Sequence, residues 1–158
     1  MKKRLSVSKI PALFLLFVVT SCLNQANCWI TATNVVKINL RKSDNSAAEI
    51  TFNSISVSGT PLTFTPAKAV SVLNLPVDPN ANETTFLFSY DTVVEGVTIN
   101  KSDTLTLHYI NEIKLISEEC GAFQYQRDLE IVSTDFTKTK LLNTSLLTTV
   151  ASNLEIYF

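Results

Sequence analysis

The chain has 158 residues, 46% of them hydrophobic, with 13 Lys and Arg against 14 Asp and Glu. Four of the basic residues and none of the acidic ones lie in the first 21 positions, so residues 22–158 carry a formal charge of 9 − 14 = −5. This acidic balance excludes nucleic acid as an expected partner, because phosphate binding needs clustered cations. The remaining 158 − 21 = 137 residues suffice for one domain.

Residues 1–21 have the three-part layout of a secretory signal peptide. Four cations lie among the first nine residues, an apolar run extends from Ile10 to Val19, and small polar residues precede Cys22. The run has ten positions and contains Pro11, whereas a membrane-spanning helix needs about 20 apolar residues. We therefore expect residues 1–21 to be removed after export.

The end of this segment, Val19-Thr20-Ser21-Cys22, resembles the lipobox of bacterial lipoproteins. In that family the cysteine thiol receives a diacylglycerol, cleavage makes the cysteine the new N-terminus, and its amine is often acylated as well. Two or more acyl chains hold a protein stably on a bilayer. The resemblance predicts lipidation at Cys22 and a membrane as partner. The alternative is an ordinary signal peptide, with Cys22 left as a structural cysteine.

The cysteine count bears on the same prediction. The chain has three cysteines, and an odd number is unusual in an oxidising compartment. Lipidation of Cys22 leaves Cys28 and Cys120, which can pair, although two separately buried thiols remain the alternative. Closing a loop of about 90 residues stabilises a domain by about 4–5 kcal/mol in the chain-entropy model. Residues 22–27 then form a short tether of at most about 20 Å, and residues 28–158 form the domain.

Period-two alternation of apolar and polar residues predicts the first strands of the domain. The pattern predicts a strand at 36–40, a turn at 43–46, a strand at 50–57 with a bulge near Asn53, and a short edge strand or extended link at 62–64 between two prolines. Apolar runs at 70–75 and 86–90 flank the turn signal Asp78-Pro79-Asn80-Ala81-Asn82. This order predicts a hairpin between the two runs.

The remaining strands are predicted around 93–99, 104–109, 112–117, 122–132 and 153–158. Residues 138–152 are compatible with a strand or with a short helix. Many short strands, frequent turns and no helical crossover favour an all-β fold, a single antiparallel β-sandwich.

Several weak motifs occur in a fixed order along the chain. They are the lipobox cysteine, Cys28 soon after it, Leu75-Pro76 before an Asn-rich turn, the Phe-rich strand 84–90, the stretch 103–107, and Cys120-Gly121. In this order the chain resembles a family of small Bacteroidota lipoproteins known only as a domain of unknown function. The resemblance implies an all-β domain with a Cys28 to Cys120 bridge, and it implies no activity.

Nucleophilic catalysis would depend on His108, the only histidine. In a strand at 104–109 its side chain lies on the polar face, and Asp103 points to the opposite face, so no local carboxylate orients it. Glu118 and Glu119 would diverge in the same way, which favours a solvated strand end over an acid/base pair. We expect no enzyme and no cofactor, with a His108-dependent hydrolase as the less favoured alternative.

Metal binding is not expected either. One histidine and two bridged cysteines cannot complete a typical zinc site. Asp78, Asn80 and Asn82 have the spacing of the first three EF-hand ligands, but Glu83 replaces the glycine and Ser89 replaces the final glutamate. We interpret this segment as a turn.

Two tripeptides, Asp91-Thr92-Val93 and Asp103-Thr104-Leu105, resemble the periplasmic O-glycosylation signal of Bacteroidota. In that signal an Asp precedes the modified Thr or Ser, and a small aliphatic residue follows. Thr92 and Thr104 are therefore candidate modification sites.

The leading hypothesis is a non-enzymatic, lipid-anchored periplasmic protein that binds or braces another envelope component. Residues 23–27 lack both the acidic run typical of surface export and the Asp that retains enterobacterial lipoproteins at the inner membrane. We therefore expect the outer membrane, facing the periplasm. The alternative is a glycan-binding module that uses exposed aromatics such as Tyr125 or Trp29. For Trp29, core packing is favoured over a position in the lipid interface.

Overall fold

The computed structural model describes residues 31–158, and these residues form strands and turns without a helix. The expected all-β fold is confirmed. Nine strands follow in chain order: β1 (Val35–Arg41), β2 (Phe52–Val57), β3 (Thr63–Phe64), β4 (Val72–Pro76), β5 (Glu83–Val94), β6 (Val97–Ser117), β7 (Gly121–Thr134), β8 (Lys138–Leu141) and β9 (Leu154–Tyr157).

The strands form two packed sheets. One has four strands in the order β4-β1-β9-β8, and the other has five in the order β3-β2-β5-β6-β7. The β-sandwich expected from the sequence is therefore present. Its strand pairs are antiparallel except for β1 and β9, which pair in parallel from Ile38↔Leu154 to Arg41↔Tyr157. Alternation carries no information about strand direction, so this one parallel pair was not predictable.

The core lies between the inward faces of the two sheets. Alternate residues of β1, β5 and β6 point into it, and those at its centre have no more than 1% exposed surface: Val36, Ile38, Leu40, Phe86, Phe88, Leu105, Leu107 and Tyr109. Complete burial of such a side chain stabilises the fold by about 1.5–3 kcal/mol. Phe88 also contacts Phe52 and Phe136, with ring centroids 5.8 and 5.3 Å away. The predicted alternation therefore identified the core-facing residues.

The predicted hairpin between 70–75 and 86–90 is wrong. β4 pairs with β1 in the smaller sheet, whereas β5 pairs with β2 and β6 in the larger sheet. The turn at 78–82 thus carries the chain from one sheet to the other. A turn signal marks a reversal of the chain but does not specify which strands pair.

Hydrogen bonds fix this crossover to the larger sheet. The Tyr109 hydroxyl donates to the Asp78 carbonyl over 2.7 Å and lies 2.7 Å from the Thr84 hydroxyl. Thr84 in turn accepts the backbone N–H of Asp78 over 3.0 Å. A buried tyrosine therefore satisfies the polar groups where the chain changes sheets.

The strand predicted around 93–99 is also wrong, because a hairpin turn interrupts it. Glu95 and Gly96 have φ angles of 51° and 82° and join β5 directly to β6. Positive φ at both central residues is typical of a type I′ turn. The strands predicted at 104–109 and 112–117 are parts of one strand, β6, which is 21 residues long.

Several local predictions are confirmed. The β2–β5 register shifts between Phe52 and Ser54, which is the predicted irregularity near Asn53. β3 lies at the edge of its sheet, and the turn at 43–46 has Asn45 at a φ of 68°.

The ambiguous segment 138–152 begins as a strand, β8, and continues as an irregular connection without a helix. Leu146, 1% exposed, anchors this connection in the core, and its N–H donates to the Gln126 carbonyl over 3.1 Å. Of the apolar residues that suggested a helix, Leu146 alone is buried in the core, and Ala151 is exposed.

Candidate functional site

Two hairpins of the larger sheet extend beyond the region in which three or more strands are paired side by side. Pairing with β2 ends at Tyr90, so beyond it β5 pairs with β6 alone. Pairing of β6 with β5 ends at His108, so beyond it β6 pairs with β7 alone. We call these two segments the β5–β6 tip (residues 91–100) and the β6–β7 tip (residues 110–124).

The β5–β6 tip exposes large aliphatic side chains. The exposed fractions are 68% for Val93, 51% for Val94, 61% for Val97 and 43% for Ile99. Val94 and Val97 pair directly and share a face with Ile99. Because Tyr90 lies on the same face, this apolar surface continues the inner face of the sheet beyond the sandwich.

A cavity of about 160 Å³ opens at the base of this tip. Its lining combines aromatic rings with a few polar groups and comprises Tyr90, Thr92, Lys101, Asp103, Phe136, Thr137, Tyr157 and Phe158. The Tyr90 and Phe136 rings pack edge-on against Phe158 at 5.2 and 5.4 Å. An apolar wall with a few converging polar groups is the usual composition of a binding pocket.

The polar groups of this cavity converge on one buried carboxylate. Asp103 is 3% exposed, and its Oδ2 accepts a hydrogen bond from the Tyr90 hydroxyl at 2.5 Å and another from Lys101 Nζ at 2.9 Å. Burial, together with the Asp103 hydrogen bond, raises the pKa of Tyr90 to about 12. The hydrogen bond to Asp103 raises the pKa of Lys101 as well. Both side chains therefore keep their protons at neutral pH and act as hydrogen-bond donors, not as bases.

The β6–β7 tip has a second exposed apolar surface. Ile113 is 76% exposed and Leu115 is 67% exposed. Leu115 pairs with Ala122, and the turn that follows β6 contains Glu118, Glu119 and Cys120. The two glutamates are exposed and lie in this turn rather than on a strand.

A second cavity, of about 200 Å³, lies beside the base of the β6–β7 tip. It is lined by Glu112, Lys114, Tyr125, Gln126, Arg127, Ser145 and Leu147. Arg127 Nε donates to Glu112 Oε2 over 2.6 Å. The structure thus places Tyr125, named from the sequence as a candidate glycan-binding aromatic, beside an ion pair with exposed polar atoms.

Most of the chain matches a known protein family. Residues 51–158 match a family of unknown function, DUF6452. The chain belongs to this family. No curated protein and no solved structure matches the chain. The DUF6452 match begins one residue before β2, so it includes both hairpin tips and the strands that line both cavities, while β1 precedes it.

His108 of this DUF6452 chain lies on the outer face of β6 and is half-buried. As predicted, Asp103 points to the opposite, buried face. The register places Glu83 on β5 and Glu130 on β7 directly opposite His108. These two carboxylates could not be identified from the sequence, because only the strand pairing brings them to the histidine.

The two candidate glycosylation sites differ in their surroundings. Thr92 is half-buried at the mouth of the smaller cavity. The Thr104 hydroxyl donates to Asp135 over 2.5 Å, and the same carboxylate oxygen accepts the Thr104 N–H over 2.9 Å. Modification of Thr104 would require the loss of the hydroxyl bond to Asp135. Glycosylation stays a prediction at both positions.

The segment compared with an EF-hand forms a turn. Asp78 Oδ1 accepts the N–H of Asn80 over 2.8 Å, which is an Asx-turn, and the Asn82 side chain accepts a hydrogen bond from Asn111 over 3.2 Å. Within residues 31–158, no group of three or more His, Cys, Asp or Glu side chains could hold a metal ion.

The predicted lipid site lies outside the described residues. Cys22, Cys28 and Trp29 all precede Thr31, where the description begins. Cys120 is half-buried in the turn of the β6–β7 tip. The Cys28 to Cys120 bridge therefore stays a prediction. Over residues 31–158, no helix has the length and apolar character needed to cross a bilayer.

Proposed function

We propose that this protein is a non-enzymatic, lipid-anchored periplasmic domain that binds another envelope component through its β5–β6 tip. One observation carries the proposal, namely the exposed aliphatic surface of Val94, Val97 and Ile99 next to an aromatic-lined cavity. Contiguous apolar patches on a protein surface mark interaction sites, because their exposure is unfavourable until a partner covers them.

In this proposal the lipid anchor lies at the end of the domain opposite the β5–β6 tip. The predicted lipid on Cys22 and the short tether (residues 22–27) hold the domain against the periplasmic face of the outer membrane, and Thr31 lies near the base of the β6–β7 tip. β6 runs between the two tips and has 21 residues. At about 3.3 Å per residue it spans roughly 65 Å. The β5–β6 tip therefore points away from the anchored end, where a partner can reach it.

Site-specific photo-crosslinking in living cells tests this proposal. A photoreactive amino acid at Val97 is expected to capture one defined envelope partner, and the same amino acid at exposed Glu130 on β7 serves as the matched control. A Cys22→Ala chain should lose the adduct, because the domain is then no longer held at the membrane. Identical products at Val97 and Glu130, or no adduct at Val97 above the Cys22→Ala background, would contradict the proposal.

A second candidate function, glycan binding, is favoured by the cavity at Tyr125. An aromatic ring beside the Glu112 and Arg127 pair can stack on a sugar ring while charged groups bond its hydroxyls. Retention on an array of envelope glycans is expected to fall at least tenfold in Tyr125→Ala and to remain in Val97→Ala. Equal retention by the two variants would argue against a glycan site at Tyr125.

A further inference from the structure

The two sheets of the sandwich carry opposite charge. The strands of the smaller sheet contain one acidic residue, Glu155, and four cations, which gives 4 − 1 = +3: Lys37, Arg41, Lys138 and Lys140. The strands of the larger sheet contain three cations and six acidic residues, which gives 3 − 6 = −3. The smaller sheet is therefore a positive region of an otherwise acidic domain.

All four cations lie on the outer face of the smaller sheet, and we call them the basic face. In β1, Lys37 and Arg41 alternate with residues of the core. In β8, Lys138 and Lys140 pair with the two β9 residues that point away from the core. Within residues 31–158, no helix and no third sheet covers this face.

The cations form the outermost layer of this face. Glu155 and Tyr157 also point outward from β9, yet they are only 9% and 8% exposed. Arg41 Nε donates to Glu155 Oε1 over 3.0 Å, and Lys138 Nζ lies 4.0 Å from the centroid of the Tyr157 ring. Lys140 pairs with Glu155 and is exposed. The one carboxylate of the sheet is thus nearly buried, and the charge that meets solvent is positive.

Strand pairing assembles the basic face from distant parts of the chain. Arg41 in β1 and Lys138 in β8 are 138 − 41 = 97 positions apart, and both are level with Tyr157 of β9, which lies between them. Neighbouring strands are about 4.8 Å apart, so the two cations belong to one row about 10 Å wide. The overall acidic balance of the sequence does not reveal this cluster.

The kind of cation indicates the kind of partner. An arginine fork recognises one fixed carboxylate or phosphate, whereas the lysine ammonium is a point charge on a flexible stem. The single arginine of the face, Arg41, is already engaged by Glu155, and the other three cations are lysines. Flexible point charges spread over a sheet face suit a fluid, planar array of phosphates, and clustered Lys and Arg beside a membrane attract anionic lipids.

We propose that the basic face binds the phosphate groups of an anionic bilayer surface. Both sheets then lie along the bilayer, and the acidic larger sheet faces away from it, where repulsion from the lipid is weakest. This inference deepens the anchoring part of the proposed function, and it rests on the proposed lipid anchor for the choice of a bilayer over other polyanions. The β5–β6 tip remains open at one end of the larger sheet.

Modification of amines, measured lysine by lysine, tests this proposal. The chain purified from the cell envelope is mixed with excess vesicles, either of phosphatidylcholine alone or of phosphatidylcholine and phosphatidylglycerol in equal parts. A water-soluble acylating reagent is added, and peptide mass spectrometry gives the rate at each lysine. With the anionic vesicles, Lys138 and Lys140 should react roughly threefold more slowly or less, whereas Lys114, exposed on the larger sheet, should react equally with both kinds. Salt at about 1 M, where the screening length is about 3 Å, should remove the protection.

Two matched variants locate the contact. One lysine beside an anionic surface contributes about fivefold in affinity. In Lys140→Gln, the protection of Lys138 by anionic vesicles should therefore weaken at least about twofold. In Lys114→Gln, which removes the same charge from the other sheet, the protection of Lys138 should match that of the unmodified protein. Equal effects of the two substitutions would contradict a contact at the basic face.

The remaining outcomes also overturn the proposal. Unchanged rates at Lys138 and Lys140 on anionic vesicles would mean that the basic face does not meet lipid. Equal slowing at Lys114 would mean that the domain meets lipid through its β6–β7 tip. Protection by soluble polyglutamate as strong as that by anionic vesicles would assign the face to an acidic polypeptide. Intact mass shows separately whether Cys22 carries lipid, and a lost crosslink at Val97 would contradict only the partner-binding proposal.

Discussion

Removal of the Tyr109 hydroxyl is expected to destabilise the domain although the substitution leaves the core packing intact. Tyr109 has no exposed surface, and its hydroxyl joins β6 to the crossover through Asp78 and Thr84. Tyr109→Phe keeps the ring and its packing. Only the polar atom that connects the turn at 78–82 to the larger sheet is lost.

The expected loss of stability follows from the polar groups that lose their hydrogen-bond partner. Tyr109→Phe deprives the Asp78 carbonyl and the Thr84 hydroxyl, 3% exposed, of a partner at 2.7 Å. A buried polar group without a partner costs about 1–3 kcal/mol. Thr84 retains the Asp78 N–H as a donor, so we expect about 2 kcal/mol and not the sum of two full penalties. For a domain of this size the melting temperature should fall by roughly 5–10 °C.

Urea denaturation followed by circular dichroism measures this loss directly, and Tyr125→Phe is the matched control. The Tyr125 ring is half-buried at an open cavity, so loss of its hydroxyl should change the free energy of unfolding by less than about 0.5 kcal/mol. A Tyr109→Phe protein within that same margin of the unmodified protein would refute the assignment of the hydroxyl as the crossover link. Equal destabilisation by the two substitutions would refute it as well.

Four further predictions concern the turn, the buried tyrosine, the histidine and the cysteines. Glu95→Asn should raise the free energy of unfolding by about 0.5–1 kcal/mol in the urea assay, because Asn tolerates the positive φ of 51° at this type I′ position better than Glu; a loss of stability would contradict the turn assignment. The pKa of Tyr90 is raised to about 12 in the folded protein. The protonated hydroxyl therefore contributes its full stabilisation below pH 10, the ordinary tyrosine pKa, and loses it as the pH rises to 12. The free energy of unfolding, measured between pH 9 and 12, should depend less on pH in Tyr90→Phe than in the unmodified protein. His108→Ala should leave a hydrolase screen unchanged, and any activity abolished by this substitution would restore the hydrolase alternative. Alkylation and mass measurement of protein from the envelope should modify Cys28 and Cys120 only after reduction, and modification of both before reduction would contradict the bridge.

Structural features that depend only on residues close together in the sequence could be predicted. Alternation in β1 and β6 identified core positions such as Ile38 and Leu107, because side chains of a strand point to opposite faces in turn. Prolines on both sides of Phe64 predicted a short edge strand or an extended link, since proline cannot donate to a ladder. The structure bears out each of these local features.

Pairing between distant strands was not predictable by the same reasoning. Ile38 pairs with Leu154, 116 positions away, and no residue in either strand specifies the other. The hairpin at Glu95 was missed because its first central residue is Glu rather than the Asn or Asp that usually precedes Gly in such turns. The carboxylates beside His108 come from β5 and β7, so a search around residue 108 in the sequence could not find them.

The exposed apolar surface of the β5–β6 tip could not be predicted from the sequence either. Val97 and Ile99 follow the same alternation as Leu105 and Leu107, and all four read as residues of half-buried strands. Leu105 and Leu107 are covered by the opposite sheet, while Val97 and Ile99 are 61% and 43% exposed. The difference is the length of the covering layer, which depends on where the strands of the other sheet end.

The two hairpin tips also differ in their distance from the first described residue. The described chain begins at Thr31, which lies near the base of the β6–β7 tip. The β5–β6 tip is separated from Thr31 by most of the 21-residue length of β6, and it has an exposed apolar face around Val97 and a cavity at Tyr90. An exposed apolar surface of this kind marks an interaction site. Together with the proposed lipid anchor at Cys22, this separation predicts that a partner binds at the end of the domain far from Thr31.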